Sequence, residues 1–84
     1  MPRYYFDLHN DLDVIDDQGV ILATFEDARA HAFLEAREMI RSSVDGYARI
    51  DLGHRIAIRD EHGAMVGTVR FDEAVLFVRD KVPV

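Results

Sequence analysis

The chain has 84 residues and no cysteine, and its sixteen acidic and ten basic side chains give a formal net charge of −6. This length predicts a single domain over residues 1–84, with an ordered core of about residues 3–79, and the lack of cysteine excludes disulfides, thiolate catalysis and cysteine-ligated zinc. Because an acidic domain repels phosphate groups, neither nucleic acid nor an anionic membrane surface is an expected partner.

The first predicted element is a β-strand near the start of the chain. Apolar and mixed positions alternate from Arg3 to His9, and this period of two is typical of a strand with one buried face. Turn-forming residues then separate two short apolar pieces, at residues 14–15 and 20–22. Residues 3–22 are therefore predicted to form a hairpin whose second strand is irregular.

A long amphipathic helix is predicted from Phe25 to about Val44. Thr24 is a suitable N-cap, and Gly46 is expected to end the helix in a left-handed conformation. Three small side chains recur one turn apart within the apolar arc of this helix, and they are Ala28, Ala32 and Ala36. This stripe predicts a close approach of the helix to a sheet.

A second hairpin is predicted between His54 and Phe71, and its register has two possible forms. A three-residue loop would pair Ile58 with Val66, whereas a two- or four-residue loop would pair Ile58 with Met65. We favour the second form because it separates apolar from charged side chains on the two faces. The predicted core-facing set is Ile56, Ile58, Met65, Val69 and Phe71.

Residues 72–78 are compatible with a turn followed by a strand, or with a short helix capped by Asp72. The β-branched and aromatic content favours the strand. Residues 74–78 are apolar at every position, so a strand there would need cover on both faces.

These elements predict an α+β fold. The order is β-β-α-β-β, with a possible fifth strand, and the result is a two-layer sandwich of an antiparallel sheet with one long helix on one face. The longest apolar run is too short to cross a bilayer, and the N-terminal residues lack the apolar region of a signal peptide, so a cytoplasmic location is expected.

Acidic residues concentrate in the first predicted hairpin, where carboxylates could bind a hard cation. The candidate ligands are Asp11, Asp13, Asp16 and Asp17. The glycine and the final glutamate of an EF-hand are missing, and aspartates also build turns, so turn formation is the preferred interpretation and no cofactor is predicted. The four histidines show no metal-binding spacing, and a zinc site would need residues that the fold brings together.

No nucleophile elbow or phosphate-binding loop is present in the sequence. No catalytic residue is therefore predicted, and the protein is expected not to be an enzyme.

The second face of the sheet and the apolar C-terminal residues are the candidate interaction surfaces. The predicted interface residues are Tyr5, Ala57, Val66, Thr68, Val75, Leu76, Phe77 and Val78. Arg55, Arg59 and Arg70 are predicted to share this face with Tyr5, a pattern that single-stranded nucleic acid can use. Asp7 on the same face and the acidic net charge oppose that use.

Several pieces of sequence, in a fixed order, support a family resemblance. They are Met1-Pro2-Arg3-Tyr4-Tyr5-Phe6, Asp17-Gln18-Gly19 before Ile21-Leu22, Ala28-Arg29-Ala30 through Ala36-Arg37-Glu38-Met39, Ile56-Ala57-Ile58-Arg59-Asp60-Glu61-His62-Gly63 and Phe71-Asp72-Glu73-Ala74-Val75. Because of these pieces, about residues 1–75 resemble a domain of unknown function. Its members are small uncharacterised bacterial proteins that open with M-P-R-Y-[FY]-F. The resemblance implies an architecture and no catalytic residue. Residues 76–84 depart from it, and this apolar extension is expected to bear on assembly.

The sequence thus predicts a small non-enzymatic protein-interaction module that is homo-oligomeric, with itself or another protein as its partner. Two other functions remain open. One is a nucleic-acid-binding or antitoxin-like regulator, against which the charge of −6 counts. The other is a metal-dependent enzyme that uses the Asp-rich first hairpin, against which the missing ligand motif counts.

Overall fold

The computed structural model describes residues 1–80 as an antiparallel sheet with one long and one short helix. The elements are β1 (Arg3–His9), β2 (Asp13–Val14), β3 (Val20–Ile21), α1 (Phe25–Tyr47), β4 (Arg55–Arg59), β5 (Met65–Arg70) and α2 (Phe71–Ala74). The predicted α+β class is confirmed. The sheet has five strands because the irregular second strand of the first hairpin is divided into β2 and β3.

The strands are arranged in the order β2-β1-β4-β5, and β3 pairs with β1 on the same side as β2. Between β2 and β3, the Asp16 carboxylate accepts a hydrogen bond from the Phe6 backbone N–H (3.0 Å). It also accepts from the backbone N–H groups of Gln18 and Gly19. The Asp16 side chain thus takes the place of a strand carbonyl and gives the Phe6 N–H at the edge of β1 a hydrogen-bond acceptor.

The core lies between α1 and one face of the sheet. Ala28, Ala32 and Ala36 are fully buried, with 0% exposure, which agrees with the predicted close approach of the helix. The largest fully buried side chains come from β4 and β5, and they are Ile56, Ile58 and Val69.

The register of β4 and β5 differs by two residues from the favoured prediction. Ile58 lies opposite Gly67 rather than Met65, and Ile56 lies opposite Val69. Because side chains alternate with a period of two, this shift leaves the predicted facing of Ile56, Ile58 and Val69 intact.

The turn between β4 and β5 and a bulge beside it together explain the difference in register. The chain has the three-residue loop, residues 61–63, that was not favoured, so Arg59 lies opposite Met65. The Asp60 carboxylate accepts hydrogen bonds from the backbone N–H groups of His62 and Ala64, and the Asp60 N–H donates to the Ala64 carbonyl. A bulge follows at the Ile58/Arg59 step. Because Met65 lies opposite Arg59, it shares the outer face of the sheet and is 68% exposed, so its predicted burial is wrong. The bulge after it places Gly67 opposite Ile58 and keeps Val69 on the core face.

The helix α1 begins as predicted, because the Thr24 hydroxyl caps it by accepting from the Asp27 N–H (3.1 Å). It ends at Tyr47, and Ala48 rather than Gly46 adopts the left-handed conformation (φ 51°, ψ 39°); the predicted Gly46 cap is wrong. The 23 residues of α1 span about 34 Å, twice the roughly 17 Å of the five-residue β4. The residues of α1 after Ile40 are exposed apart from the half-buried Ser43, so the last turns of α1 extend beyond the sheet. Among residues 1–80, no helix combines the length and apolarity that crossing a bilayer requires.

The segment after β5 is the short helix α2, so the favoured strand over residues 74–78 is wrong. Phe71 and Ala74 are buried, and Arg37 Nε of α1 donates to the Ala74 carbonyl (2.7 Å). Packing of these two side chains under α1 outweighs the local strand preference. Val75 has an extended backbone (φ −131°, ψ 151°), and residues 75–80 join no strand of the described part of the chain.

Candidate functional site

A cleft of about 330 Å³ lies where the C-terminal end of α1 extends beyond the sheet. The end of β1, the last turns of α1 and the loop before β4 surround it. Its apolar wall includes Leu8, Met39, Ile40 and Phe71. Ser42, Ser43, Asp51 and His54 are among its polar lining residues. An apolar concavity with a few convergent polar groups is the usual form of a small-ligand site.

His54 lies directly before β4 and faces this cleft. Its carbonyl accepts from the Phe71 N–H (2.9 Å), and its ring packs edge-on against the Phe71 ring with centroids 5.4 Å apart. These contacts hold the imidazole in one orientation. Its Nε2 atom is shielded from solvent and has no hydrogen-bond partner within residues 1–80. Asp51 Oδ2 lies 3.2 Å from this nitrogen, but the contact lacks hydrogen-bond geometry.

Asp51 belongs to the loop between α1 and β4. Its Oδ1 accepts from the Gly53 N–H (2.9 Å), and Arg49 Nη2 lies 3.5 Å from its Oδ2. The Gly53 hydrogen bond, with smaller contributions from His54 and Arg49, lowers the pKa of Asp51. The carboxylate is therefore ionised at neutral pH.

Asp11 brings a second carboxylate to the same place. The antiparallel register pairs His9 of β1 with Arg55 of β4, so the residues that follow His9 lie beside those that precede Arg55. One donor atom each from Asp11, Asp51 and His54 lies within 4.8 Å of the others. In the described part of the chain, this is the one group of three or more His, Asp or Glu side chains placed in this way.

The four aspartates predicted as candidate cation ligands do not meet at one point. Asp11 lies with Asp51 and His54, whereas Asp13 Oδ1 lies 2.9 Å from His9 Nδ1. Asp16 binds backbone N–H groups, and Asp17 is exposed in a turn. Sequence reasoning missed Asp51 and His54, for which the i, i+3 spacing of an acid and a histidine was the only local signal.

The opposite face of the sheet is organised by an ion pair between Asp7 and Arg59. Arg59 Nε donates to Asp7 Oδ2 (2.6 Å) and its Nη2 to Oδ1 (3.1 Å), and Nη2 also donates to the Asp16 carbonyl (2.9 Å). The guanidinium lies 4.9 Å from the centroid of the Tyr5 ring. Asp7 is 4% exposed. The hydrogen bonds from Arg59 lower the pKa of Asp7, and those same bonds raise the pKa of Arg59.

The three arginines predicted to share this face differ in whether a carboxylate binds the guanidinium. Arg59 is bound to Asp7, and Arg70 Nε donates to Asp72 Oδ1 (2.9 Å). Arg55 lies opposite Arg70 and is exposed. The two paired carboxylates offset the positive charge that a phosphate backbone would require.

The predicted interface residues divide by their exposure. Ala57 is buried, and Tyr5, Thr68 and Val75 are half-buried. The side chains of the remaining four are exposed, and these are Val66, Leu76, Phe77 and Val78.

Comparison with known proteins agrees with the resemblance in the sequence. A family model described as "Domain of unknown function (DUF6894)" matches residues 3–72. No curated protein and no solved structure matches the chain. The matched region runs from β1 into α2 and leaves residues 73–80 outside. The chain therefore belongs to the DUF6894 family, a domain of unknown function.

Proposed function

We propose that the protein is a small non-enzymatic interaction module of the bacterial cytosol, and that it forms homodimers through residues 75–78, the C-terminal segment. The observation that carries this proposal is the exposure of three consecutive apolar side chains. Leu76, Phe77 and Val78 are 87%, 58% and 72% exposed. Burial of each such side chain is favourable by roughly 1.5–3 kcal/mol, so a partner that covers them gains binding energy.

The C-terminal segment leaves the domain from a fixed position. The Arg37 guanidinium binds the Ala74 carbonyl, and the Glu73 carboxylate accepts from the Arg70 N–H (2.9 Å). Val75 packs against the core in an extended conformation. A segment already held at its start loses less conformational entropy when it pairs with a partner.

An unpaired strand edge lies close by in sequence and offers a place for such pairing. β5 pairs with β4 on one side, and its other side pairs with no strand of residues 1–80. Backbone N–H and C=O groups on an open edge pair readily with an added strand. Met65 and Val66 of β5 are exposed apolar side chains on this strand.

The proposed dimer has two-fold symmetry, in which each copy places its C-terminal segment along β5 of the other. A two-fold arrangement uses the same contacts twice and leaves no unmatched surface to continue into a filament. The segment carries no charge before Arg79, so no charged side chain within it opposes the pairing.

Size-exclusion chromatography with light scattering tests this proposal at about 100 μM, well above a micromolar dissociation constant. The full chain should have the mass of a dimer. A variant with Leu76→Ser and Phe77→Ser should be monomeric with an unchanged circular dichroism spectrum. Leu34→Ser is the matched control, because Leu34 is 63% exposed on α1 and lies outside the proposed interface.

A full chain that is monomeric at this concentration would overturn the proposal. A double variant that stays dimeric would also overturn it, because the interface would then lie elsewhere. Dissociation by Leu34→Ser alone would place the interface on α1.

A further inference from the structure

We propose that Asp11, Asp51 and His54 bind a divalent transition-metal ion, of which Zn²⁺ is the representative, at the mouth of the cleft. The three side chains come from two segments: Asp11 lies in the turn after β1, and Asp51 and His54 lie in the loop between α1 and β4. Their donor atoms nevertheless lie within 4.8 Å of one another. The site is independent of the proposed dimer and of the ion pair on the opposite sheet face.

The unsatisfied ring nitrogen of His54 is the observation that points to a ligand. A polar atom shielded from solvent normally has a hydrogen-bond partner, and one without a partner needs an explanation. The Nε2 atom has none within residues 1–80, although a carboxylate oxygen lies 3.2 Å away. A cation between the imidazole and the carboxylate would use the nitrogen lone pair and the oxygen together.

The orientation of the imidazole suits this role. The Phe71 ring and the hydrogen bond from the Phe71 N–H to the His54 carbonyl fix the residue at the end of the sheet. A ligand side chain that is held in place by its surroundings binds a metal with less loss of freedom.

The donor set selects the type of ion. One imidazole nitrogen with two carboxylate oxygens suits Zn²⁺, Co²⁺ and similar ions, whereas Ca²⁺ and Mg²⁺ prefer oxygen donors only. Three protein ligands leave at least one coordination position for water. That position would face the cleft, which Asp51 and His54 both line.

Small side-chain movements would complete the geometry. Zinc–ligand bonds of about 2.0–2.2 Å place tetrahedral donor atoms roughly 3.4 Å apart. Asp51 Oδ2 and His54 Nε2, at 3.2 Å, are already close to that spacing, and the three donor atoms together lie within 4.8 Å. Asp11 is exposed and can rotate inward. The Arg49 guanidinium contacts Asp51 at 3.5 Å, but its side chain is 71% exposed and can move into solvent as the cation binds.

Isothermal titration of the full chain with Zn²⁺ tests the proposal, with the visible absorption of bound Co²⁺ as a second readout. One ion should bind per chain and raise the melting temperature, because the ion binds only the folded arrangement. Asp51→Asn and His54→Gln should each weaken binding by at least the roughly 10–100-fold that is typical of losing an outer-shell partner. Asp11→Asn should weaken it too, and because Asp11 is exposed this variant should keep its fold.

The matched control is His9→Gln. His9 and Asp13 form a histidine–carboxylate pair of similar length (2.9 Å) that has no third ligand. Binding by the His9→Gln variant should equal that of the unaltered chain.

The proposal is overturned if the full chain shows no saturable binding of one Zn²⁺ ion, or if Asp11→Asn and Asp51→Asn together leave affinity unchanged. Loss of binding in His9→Gln would also overturn it, since the ion would then occupy the other pair. Should His54→Gln lose its circular dichroism signal, the Asp11→Asn result decides. Binding of Mg²⁺ as tight as that of Zn²⁺ would overturn the assignment to transition metals.

Discussion

Individual acidic side chains act as structural connectors in this domain. Asp16 replaces a strand carbonyl at the edge of β1, and Asp7 binds both Arg59 and the Asp16 N–H (2.9 Å). Together they join the irregular part of the first hairpin to β4. Of the four candidate aspartates, Asp16 has the turn-building role that the sequence favoured.

Replacement of Asp7 by Asn should destabilise the domain by about 2–4 kcal/mol, because it leaves the Arg59 guanidinium partly buried without its charged partner. The folded-state pKa of Asp7 is lowered by the Arg59 hydrogen bonds. Its carboxylate therefore stabilises the fold above the unfolded pKa of about 3.9, and this contribution is lost as the pH falls through the folded pKa.

Urea unfolding at pH 7 and at about pH 3 measures this effect. The stability difference between the unaltered chain and Asp7→Asn should shrink at the lower pH. Asp13→Asn, which changes an exposed carboxylate, is the control. A difference that does not depend on pH would show that Asp7 acts through shape rather than charge.

Gly19 is a position where both conformation and space require glycine. Its φ is +70°, and a Cβ there would lie 2.8 Å from the Tyr4 carbonyl oxygen. Gly63 also has a positive φ, +84°, but a Cβ there would have no neighbour within 4 Å. Gly19→Ala should therefore cost about 1–3 kcal/mol, and Gly63→Ala should cost less. Equal urea midpoints for the two variants would contradict the predicted clash.

At the scale of elements, the alanine stripe sets the distance between α1 and the sheet. Ala32→Leu should cost about 1–3 kcal/mol, because the larger side chain has no space between the two layers. Ala30→Leu is the matched control, since Ala30 is exposed on the same helix. Chemical unfolding of both variants should show a loss only for Ala32→Leu. A similar loss in both would indicate a helix-wide effect instead.

Contacts between α1 and α2 also determine where α2 forms. Residues 74–78 have strand propensity, yet Ala74 ends a helix because its side chain is buried and its carbonyl binds Arg37 of α1. Burial and a hydrogen bond outweigh differences in strand propensity, which span only about 1 kcal/mol.

At the scale of the whole molecule, the charge of −6 governs long-range association. We predict that duplex DNA does not bind specifically, because the arginines form no basic run and two of those on the open sheet face are paired with carboxylates. Gel-shift experiments at low salt with several duplexes measure this. Sub-micromolar affinity for any one of them would contradict the prediction.

Local patterns determined the features that depend on neighbours along the chain. The Thr24 cap, the buried alanine stripe and the inward facing of Ile56 and Ile58 follow from spacings within one element. Each depends on helical or strand periodicity, which the sequence displays directly.

Only the tertiary structure decided the features that depend on residues distant in sequence. The β4–β5 register was ambiguous because the sequence allows loops of different length, and it was set by the bulge at the Ile58/Arg59 step, which no local pattern predicts. The meeting of Asp11 with Asp51 and His54 depends on the antiparallel register of β1 and β4 and on the extension of α1 beyond the sheet. No periodicity within one element predicts that these three side chains are close together, because strand pairing brings them together only when the chain has folded.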